Sequence, residues 1–419
     1  MKESLYILVF LALLAGCNVT PGIAQWRGPD RSGIYPDKGL LKEWPQNGPE
    51  LLWSNESLPK GYSSVSVTQS GVFLTGIVDT MDVLVALNKQ GDILWQTPYG
   101  KSWTVSFSDS RSTPTVLGNR VYATSGSGVV ACLDVSNGNV IWSVDTQKEF
   151  GARFGTWGCS ESPLVIDNKV IFTPAGDKTT LVALDRNTGE TIWQTHSLKD
   201  TAAYTSPLLV QEKEKQLIVT VTGTYLVVVD AKNGEILSYT NYASLQNEQA
   251  LEVWPGAPYT NTNTPIYSDG KIFITSGYNH VGAIYSLSND YRNLTLDWTN
   301  HTLDVHHGGV VLVNGYLYGS NWISNARGNW ACISWDTGEA MYEKEWFSKG
   351  SIISADGMLY CYEERSGNIA LVEPSTTDFK VVSTFKVPFG RGPHWSVPAI
   401  HQGVLYIRHG NAIMAYSLK

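Results

Sequence analysis

Alternating apolar and polar positions predict short β-strands over most of the chain. The stretch TLVALDRNTGETIWQT at 180–195 contains six alternating β-favouring residues, a turn from Asp185 to Gly189, and a second strand. The same phrase recurs, with substitutions, at 83–97, 130–144, 226–240 and, more weakly, 332–345. Because no helical periodicity accompanies the repeat, the pattern predicts a series of similar β-units.

A second pair of strands precedes each of these hairpins, so each unit contains four strands joined by short turns. The first strands start near Ser64, Ser112, Glu161, Thr205, Asn263, Gly309, Ser351 and Ser396. This spacing predicts an all-β fold, an eight-bladed β-propeller of four-stranded antiparallel blades. The last copy has three strands, and Leu51–Ser54, with Trp53 at the expected position, is predicted to complete it and close the ring.

One tryptophan per unit recurs on the fourth strand, as in Trp95, Trp142, Trp193 and Trp298. Because these tryptophans recur once per blade at the same position of the outermost strand, we expect them to pack between blades and not to bind a ligand. Gly189 and its counterparts occupy a turn position that suits a positive φ.

The first residues have the features of an export signal. Residues 1–16 contain a lysine, an apolar run and small residues before Cys17. The sequence Leu14-Ala15-Gly16-Cys17 resembles a lipobox, which predicts lipidation of Cys17, and an ordinary signal peptide cleaved elsewhere is the alternative. We predict a signal peptide at 1–16, a flexible tether at 17–25 and a single propeller domain at 26–419.

Composition narrows the function classes. The chain is 42% hydrophobic and 16% charged, so it is too apolar for disorder, and its net charge of −8 argues against nucleic acid as a partner. Without Cys17, the cysteines are Cys132, Cys159, Cys332 and Cys361, and no C-x-x-C motif is present. Two of them replace alanines of sister repeats, so we expect free, buried thiols in preference to disulfides.

The repeat phrase LVALDRNTGETIW and the lead-in QWRGPDRSGIYPDKGLLKEWPQNGPELLW at 25–53 carry a family resemblance. They resemble the exported PQQ-like β-propeller repeat proteins, a lipoprotein group related to BamB and to the propellers of quinoprotein dehydrogenases. The resemblance spans residues 25–419 and implies a propeller with tryptophan-docked blades. It does not choose a function, because the same repeat occurs in dehydrogenases and in the non-catalytic assembly lipoprotein.

The connections between successive blades are predicted to reach the mouth of the central channel. They contain aromatic residues beside arginines, a combination that is more typical of binding surfaces than of idle loops. The predicted channel-mouth binding ring consists of Tyr62, Arg111, Arg153, Trp157, Glu161, Tyr204, Trp254, Asn261, Asn263, His306, His307, Lys349, Arg391, His394 and Trp395.

His306 and His307 raise the question of a metal. Adjacent residues of an extended segment point to opposite sides, so both can bind one ion only if the backbone is irregular. Histidine is also an ordinary hydrogen-bonding residue of polar loops. The sequence therefore predicts no metal site.

The alternative function is a PQQ- and calcium-dependent quinoprotein alcohol or sugar dehydrogenase. Such an enzyme needs oxygen ligands for a cation, a carboxylate base and basic residues near the quinone. Glu161, Asn261, Asn263, Asp109, Arg111 and Lys349 are the candidates. The chain has no vicinal cysteine pair, haem motif or long insert, so we expect no cofactor.

The preferred hypothesis is an exported, lipid-anchored, non-catalytic binding or assembly module of the bacterial cell envelope. Its expected partner is an envelope protein or a carbohydrate at the channel mouth, and its only expected membrane contact is the lipid anchor. We expect a monomer. We expect it at the outer membrane, facing the periplasm, because Asn18 follows Cys17 where an aspartate would favour retention in the inner membrane.

Overall fold

The computed structural model describes residues 22–213, 215–245 and 247–419. In these ranges the chain forms eight β-sheets, each built on four antiparallel strands, and the sheets are arranged as an eight-bladed propeller. The predicted fold class is therefore confirmed. Cys17 and the predicted signal peptide at 1–16 lie outside the described residues.

Blades 1 to 4 follow one another along the chain. Their first strands are mostly buried, whereas their fourth strands carry exposed residues, as expected at the outer rim. The strands are Ser66–Thr68, Gly71–Val78, Met81–Leu87 and Ile93–Lys101 in blade 1; Thr115–Leu117, Arg120–Thr124, Val129–Asp134 and Val140–Asp145 in blade 2; Leu164–Ile166, Lys169–Phe172, Val182–Asp185 and Thr191–Gln194 in blade 3; and Leu208–Glu212, Lys215–Val221, Tyr225–Asp230 and Ile236–Asn241 in blade 4.

Blades 5 to 8 continue the series, and short helices occur only in the connections of the described ranges. The helices are Thr146–Phe150, Asn247–Val253 and the 3-10 turn Ala257–Tyr259. The strands are Ile266–Ser268, Lys271–Ile274, Gly282–Leu287 and Leu294–Asn300 in blade 5; Val310–Val313, Tyr316–Ser320, Trp330–Ser334 and Ala340–Lys344 in blade 6; Gly350–Ala355, Met358–Glu363, Asn368–Glu373 and Lys380–Lys386 in blade 7; and Ala399–His401, Val404–His409, Ala412–Ser417 and Leu51–Asn55 in blade 8.

Blade 8 closes the ring with strands from both ends of the domain. Leu51–Asn55 pairs antiparallel with Ala412–Ser417, and Trp53 lies opposite Ala415. The predicted closure is therefore confirmed. Joining the ends in one sheet removes the open edges that an unclosed ring would expose.

The repeated tryptophans dock on the next blade, as predicted. Trp193 donates its indole N–H to the carbonyl of Ala231 at 3.3 Å, and its ring covers Gly234. Gly234 has a φ of +76°, and a Cβ there would lie 2.5 Å from the ring, so both the turn and the docking require glycine. The same contact joins Trp53 to Gly91, Trp95 to Gly138, Trp142 to Gly189 and Trp298 to Gly338.

An N-terminal hub segment, residues 23–35, crosses the inner side of the ring. Ile23–Ala24 pairs with Thr115–Leu117 of blade 2, and Ile34–Tyr35 pairs in parallel with Gly350–Ala355 of blade 7. The chain is thus packed from residue 23 onward, within the last residues of the predicted tether at 17–25 and before the predicted domain start at 26. Backbone pairing with blade 2 is the physical reason.

Two buried arginines attach the hub segment to opposite sides of the ring. Arg31 donates to the carbonyls of Ser162, Pro163 and Pro207, at the starts of blades 3 and 4. Arg27 donates to the carbonyls of Gly308, Val310 and Ile352, in blades 6 and 7. A planar guanidinium has enough donors to satisfy several carbonyls at once, so each arginine ties two blades together.

The cysteines of the described ranges behave as predicted. Cys132, Cys159, Cys332 and Cys361 are free and buried. Burial raises the pKa of the Cys132 thiol to about 12, so this side chain is an inert apolar group at neutral pH. Within the described part of the chain, no helix has the length and apolarity needed to cross a membrane.

Candidate functional site

A cavity of about 320 Å³ occupies one mouth of the central channel. Trp26 of the hub segment contributes to its lining, and the indole N–H of Trp26 donates to the hydroxyl of Thr264 in the approach to blade 5. The other lining residues come from loops on this face: Tyr62, Phe107, Arg111, Trp157, Ser160, Ser162, Tyr204, Ser206, Thr260, Thr262, Tyr278, His306, His307, Asn325, Glu364 and Trp395.

The structure brings about half of the predicted ring together at this cavity. The predicted residues that line it are Tyr62, Arg111, Trp157, Tyr204, His306, His307 and Trp395. These residues come from six different connections between blades, as the topology predicted. Whether they bind a ligand stays a prediction.

The remaining predicted residues lie outside the lining for different reasons. Arg153 is at the rim, in an exposed ion pair with Asp177, and Arg391 is also exposed. Trp254 packs behind the lining, with its ring 5.5 Å from that of Trp157. His394 is buried with its ring stacked 3.6 Å from His409, and burial lowers its pKa to about 3.

Aromatic rings form a nearly continuous collar around the cavity. Trp395 contacts Tyr62 at 4.9 Å, Phe107 at 5.8 Å and His307 at 5.6 Å between ring centroids. The collar continues from His307 through His306, Tyr278, Trp254 and Trp157 to Tyr204, with centroid separations between 4.5 and 6.2 Å. Rings in mutual contact are rigid, and they present a large apolar surface with few conformations to lose on binding.

Arg111 lies between two parts of the collar. Its guanidinium donates to the carbonyl of Trp157 at 2.8 Å and also to the carbonyl of Phe107. Burial lowers the pKa of Arg111, with Tyr62 and Tyr204 acting in the opposite direction. Arg111 therefore positions two aromatic residues of the collar and adds positive charge to its wall.

Glu161, Asn261 and Asn263 turn into the protein and do not line the cavity. Both oxygens of Glu161 face the backbone N–H of Thr173 at 3.2 Å, and burial raises the pKa of this carboxyl to about 8. Asn261 donates to the carbonyls of Thr222 and Gly223. These side chains fasten loops to blade starts, and they do not form a common set of ligands at the cavity.

Asn263 and Lys349 are also engaged within the protein. Asn263 donates to the carbonyl of Val305 at 2.7 Å and accepts from the backbone N–H of Gly309 at 3.1 Å. Lys349 is buried and pairs with Glu364, a lining residue that the sequence analysis missed. Although burial raises the pKa of Glu364, His307 and Lys349 hold it below its usual value.

The two adjacent histidines correct one step of the sequence analysis. His306 and His307 do not point to opposite sides: both line the cavity, and their ring centroids are 4.5 Å apart. The backbone at 306–308 is bent and not extended, and Gly309 follows with a φ of +76°. The argument from strand geometry therefore does not hold here.

The sequence analysis missed a second group of loops. Tyr278, Asn325 and Glu364 follow the second strand of blades 5, 6 and 7, and Trp26 belongs to the hub segment. In a four-stranded meander, the connection between the second and third strands returns to the same face as the connection between blades. That topological rule could have located the first three residues, whereas nothing repeats around Trp26.

The fold and the cavity define a class: an eight-bladed PQQ-like propeller with an aromatic mouth. Within that class, the chain belongs to the family whose model is described as outer membrane protein assembly factor BamB, which matches residues 44–149 and 80–339. BamB from Kangiella koreensis is 26% identical over 224 residues, which cover 52% of this chain and 49% of the relative. The match thus spans about half the length of that curated relative.

Two solved structures share the fold. BamB from Moraxella catarrhalis superposes with a TM-score of 0.62 at 13% identity, covering 88% of this chain and 99% of the other. The quinohemoprotein alcohol dehydrogenase from Comamonas testosteroni gives a TM-score of 0.66 at 11% identity, covering 93% and 79%. At such low identity these similarities show the architecture alone.

The residues proposed for a quinone cofactor with calcium do not fit that role. Calcium takes six to eight oxygen ligands, roughly, from groups that point at one place. Glu161, Asn261 and Asn263 instead face the protein, and among the described residues that line the cavity Glu364 is the only carboxylate. Its first oxygen is paired with Lys349. We therefore derive no reaction step through this cofactor.

Proposed function

We propose that this protein is a BamB-like, non-catalytic module of outer membrane protein assembly. It acts in the bacterial cell envelope on the outer membrane side, held by a lipid on Cys17, and its aromatic mouth binds a polypeptide segment of an assembly partner. The carrying observation is the aromatic collar around a half-open cavity in a chain of this family. The relatives named as assembly factors support the role.

The collar has the features of a protein-binding hot spot. At the edge of the collar, Phe107 is 58% exposed. Trp157 and Trp395 are half-buried and are held by neighbouring rings. Tryptophan, tyrosine and arginine are enriched among the residues that dominate interface energies. A partner side chain entering the cavity would displace water from apolar walls without reordering them.

The dehydrogenase alternative is weaker on the same geometry. Its calcium would need oxygen ligands at the cavity, and Glu161, Asn261 and Asn263 are used instead to fasten loops. Carbohydrate binding to the collar is the other outcome to test, because sugars also stack on aromatic faces.

Site-specific photocrosslinking in the native host tests the proposal. A photoreactive phenylalanine analogue replaces Phe107 at the mouth, and the same analogue replaces Tyr239 on the outer rim of blade 4 as a control. The two positions are matched in exposure, at 58% and 52%. We expect an adduct with an outer membrane assembly protein at position 107 and none at 239.

The same experiment can overturn the proposal. Adducts of equal yield at both positions, or no protein adduct at 107, would reject a polypeptide-binding mouth. A crosslinked adduct between position 107 and a glycan would indicate that the mouth binds a carbohydrate instead. The anchor is tested separately by mass spectrometry of the N-terminal fragment, with Cys17→Ser expected to abolish lipidation and release the protein from the membrane.

A further inference from the structure

Three potential metal ligands from two distant parts of the chain meet at the wall of the cavity. His306 and His307 lie in the connection between blades 5 and 6, and Glu364 lies in the turn after the second strand of blade 7. One nitrogen of each histidine and one oxygen of Glu364 lie within 4.8 Å of one another. Atoms about 2 Å from one ion are at most about 4 Å apart, so small side-chain rotations complete the set.

One polar atom of each of these side chains is buried and makes no well-formed hydrogen bond among the described residues. These atoms are Nδ1 of His306, Nε2 of His307 and Oε2 of Glu364. A buried polar atom without a well-formed hydrogen bond is costly, so the meeting of these side chains at one place requires an explanation. Nε2 of His307 and Oε2 of Glu364 lie 3.2 Å apart and contact each other, whereas Nδ1 of His306 has no partner among the described residues.

The other polar atoms of His306 and Glu364 are held by neighbours. Nε2 of His306 is 2.9 Å from the hydroxyl of Tyr278, and Oε1 of Glu364 is paired with Lys349. Lys349 also donates to the carbonyl of Asn325 at 2.7 Å. Metal ligands are commonly oriented in this way by partners on their second atom, while the first atom stays available to the ion.

We propose that His306, His307 and Glu364 bind a divalent transition metal of the zinc type at the channel mouth. Two imidazole nitrogens and one carboxylate suit zinc and its neighbours, whereas calcium and magnesium prefer oxygen alone. With three protein ligands, a tetrahedral ion keeps one position open, and this position faces the cavity. The ion would give the mouth a fixed attachment point for a carboxylate or imidazole group of a ligand. The single positive charge of Lys349 beside Glu364 opposes the ion, so we expect moderate affinity.

Titration of the full-length protein tests the site. The protein is extracted in mild detergent, stripped with EDTA and titrated calorimetrically with zinc chloride or calcium chloride, and cobalt(II) is added in a parallel absorption measurement. We expect one equivalent of zinc, no calcium heat, and visible cobalt bands of a four-coordinate site. His307→Ala should weaken zinc binding by at least about 10-fold. Because His307 is half-buried and Glu364 keeps its pairing with Lys349, this variant should fold as the parent does.

His301→Ala is the matched control. His301 is an exposed histidine of the same connection, and it does not belong to the cluster. Its variant should bind zinc like the parent. Absence of zinc binding to the parent protein would overturn the proposal, and so would equal affinities in the His301→Ala and His307→Ala variants. Neither outcome affects the polypeptide-binding proposal, which is read by crosslinking.

Discussion

Replacing Arg31 tests whether the hub segment holds the ring together. Arg31 is 2% exposed and donates to three backbone carbonyls at the starts of blades 3 and 4. In Arg31→Met a side chain of similar length remains, but the carbonyls of Ser162 and Pro207 and the side-chain oxygen of Gln25 lose their donor. The carbonyl of Pro163 keeps a hydrogen bond from the Thr115 hydroxyl. Each orphaned buried acceptor costs about 1–3 kcal/mol.

The net magnitude follows from two opposing effects. The three orphaned acceptors give a gross loss of about 3–9 kcal/mol. Removing a buried cation returns part of this, because burial lowers the pKa of Arg31 to about 9 and so opposes its charged form. We therefore expect the free energy of unfolding to fall by about 3 kcal/mol, near the lower end of that range.

Equilibrium unfolding in urea, followed by tryptophan fluorescence and far-UV circular dichroism, measures the change. Arg292→Met is the control, because Arg292 forms an ion pair with Glu235 in which both side chains are about half exposed. Such a surface pair contributes less than about 1 kcal/mol. If the two variants differ by less than about 1 kcal/mol, the hub segment is not a structural tie and the reasoning fails.

Three further predictions concern the blades and the cofactor. Gly234→Ala should lower the free energy of unfolding in urea by about 1–3 kcal/mol more than Gly357→Ala does. Both glycines have φ near +76°, but only Gly234 is covered by a tryptophan. Equal losses would contradict tryptophan docking. Burial raises the pKa of Asp82 to about 6 from an ordinary 3.8, so the folded state binds a proton more readily and stability falls as pH rises from about 4 to 6. The wild type should lose about 2 kcal/mol relative to Asp82→Asn over that window, and a parallel pH dependence would refute the shift. PQQ with calcium should leave the midpoint temperature of thermal unfolding unchanged. A saturable, calcium-dependent rise in that temperature would support the dehydrogenase hypothesis.

The repeated features of the fold could be predicted because each copy carries its own evidence. The strand pattern, the turn glycine and the fourth-strand tryptophan recur together, so the number of blades and the docking contact follow from spacing. The closure by Leu51–Asn55 followed from a missing strand at one end and a surplus strand at the other. These inferences rest on local periodicity, which is visible in a single sequence.

The hub segment and part of the cavity could not be predicted in this way. Residues 23–35 do not repeat, and some of their partners lie more than three hundred residues away in the chain. Arg27, for example, donates to the carbonyl of Ile352. Glu364 carries no motif, and its role depends on the turn that places it beside His307. The orientation of His306 and His307 depends on a bent backbone before Gly309, which no alternation rule describes.

The sequence by itself determined an eight-bladed propeller, its closure, its free buried cysteines and the loops that reach the channel mouth. Only the tertiary structure decided which side chains of those loops share one cavity and which turn into the protein. The physical reason is that strand pattern is set by neighbours in the chain, whereas a binding site is set by the convergence of loops from separate blades. That convergence depends on the shape of the closed ring.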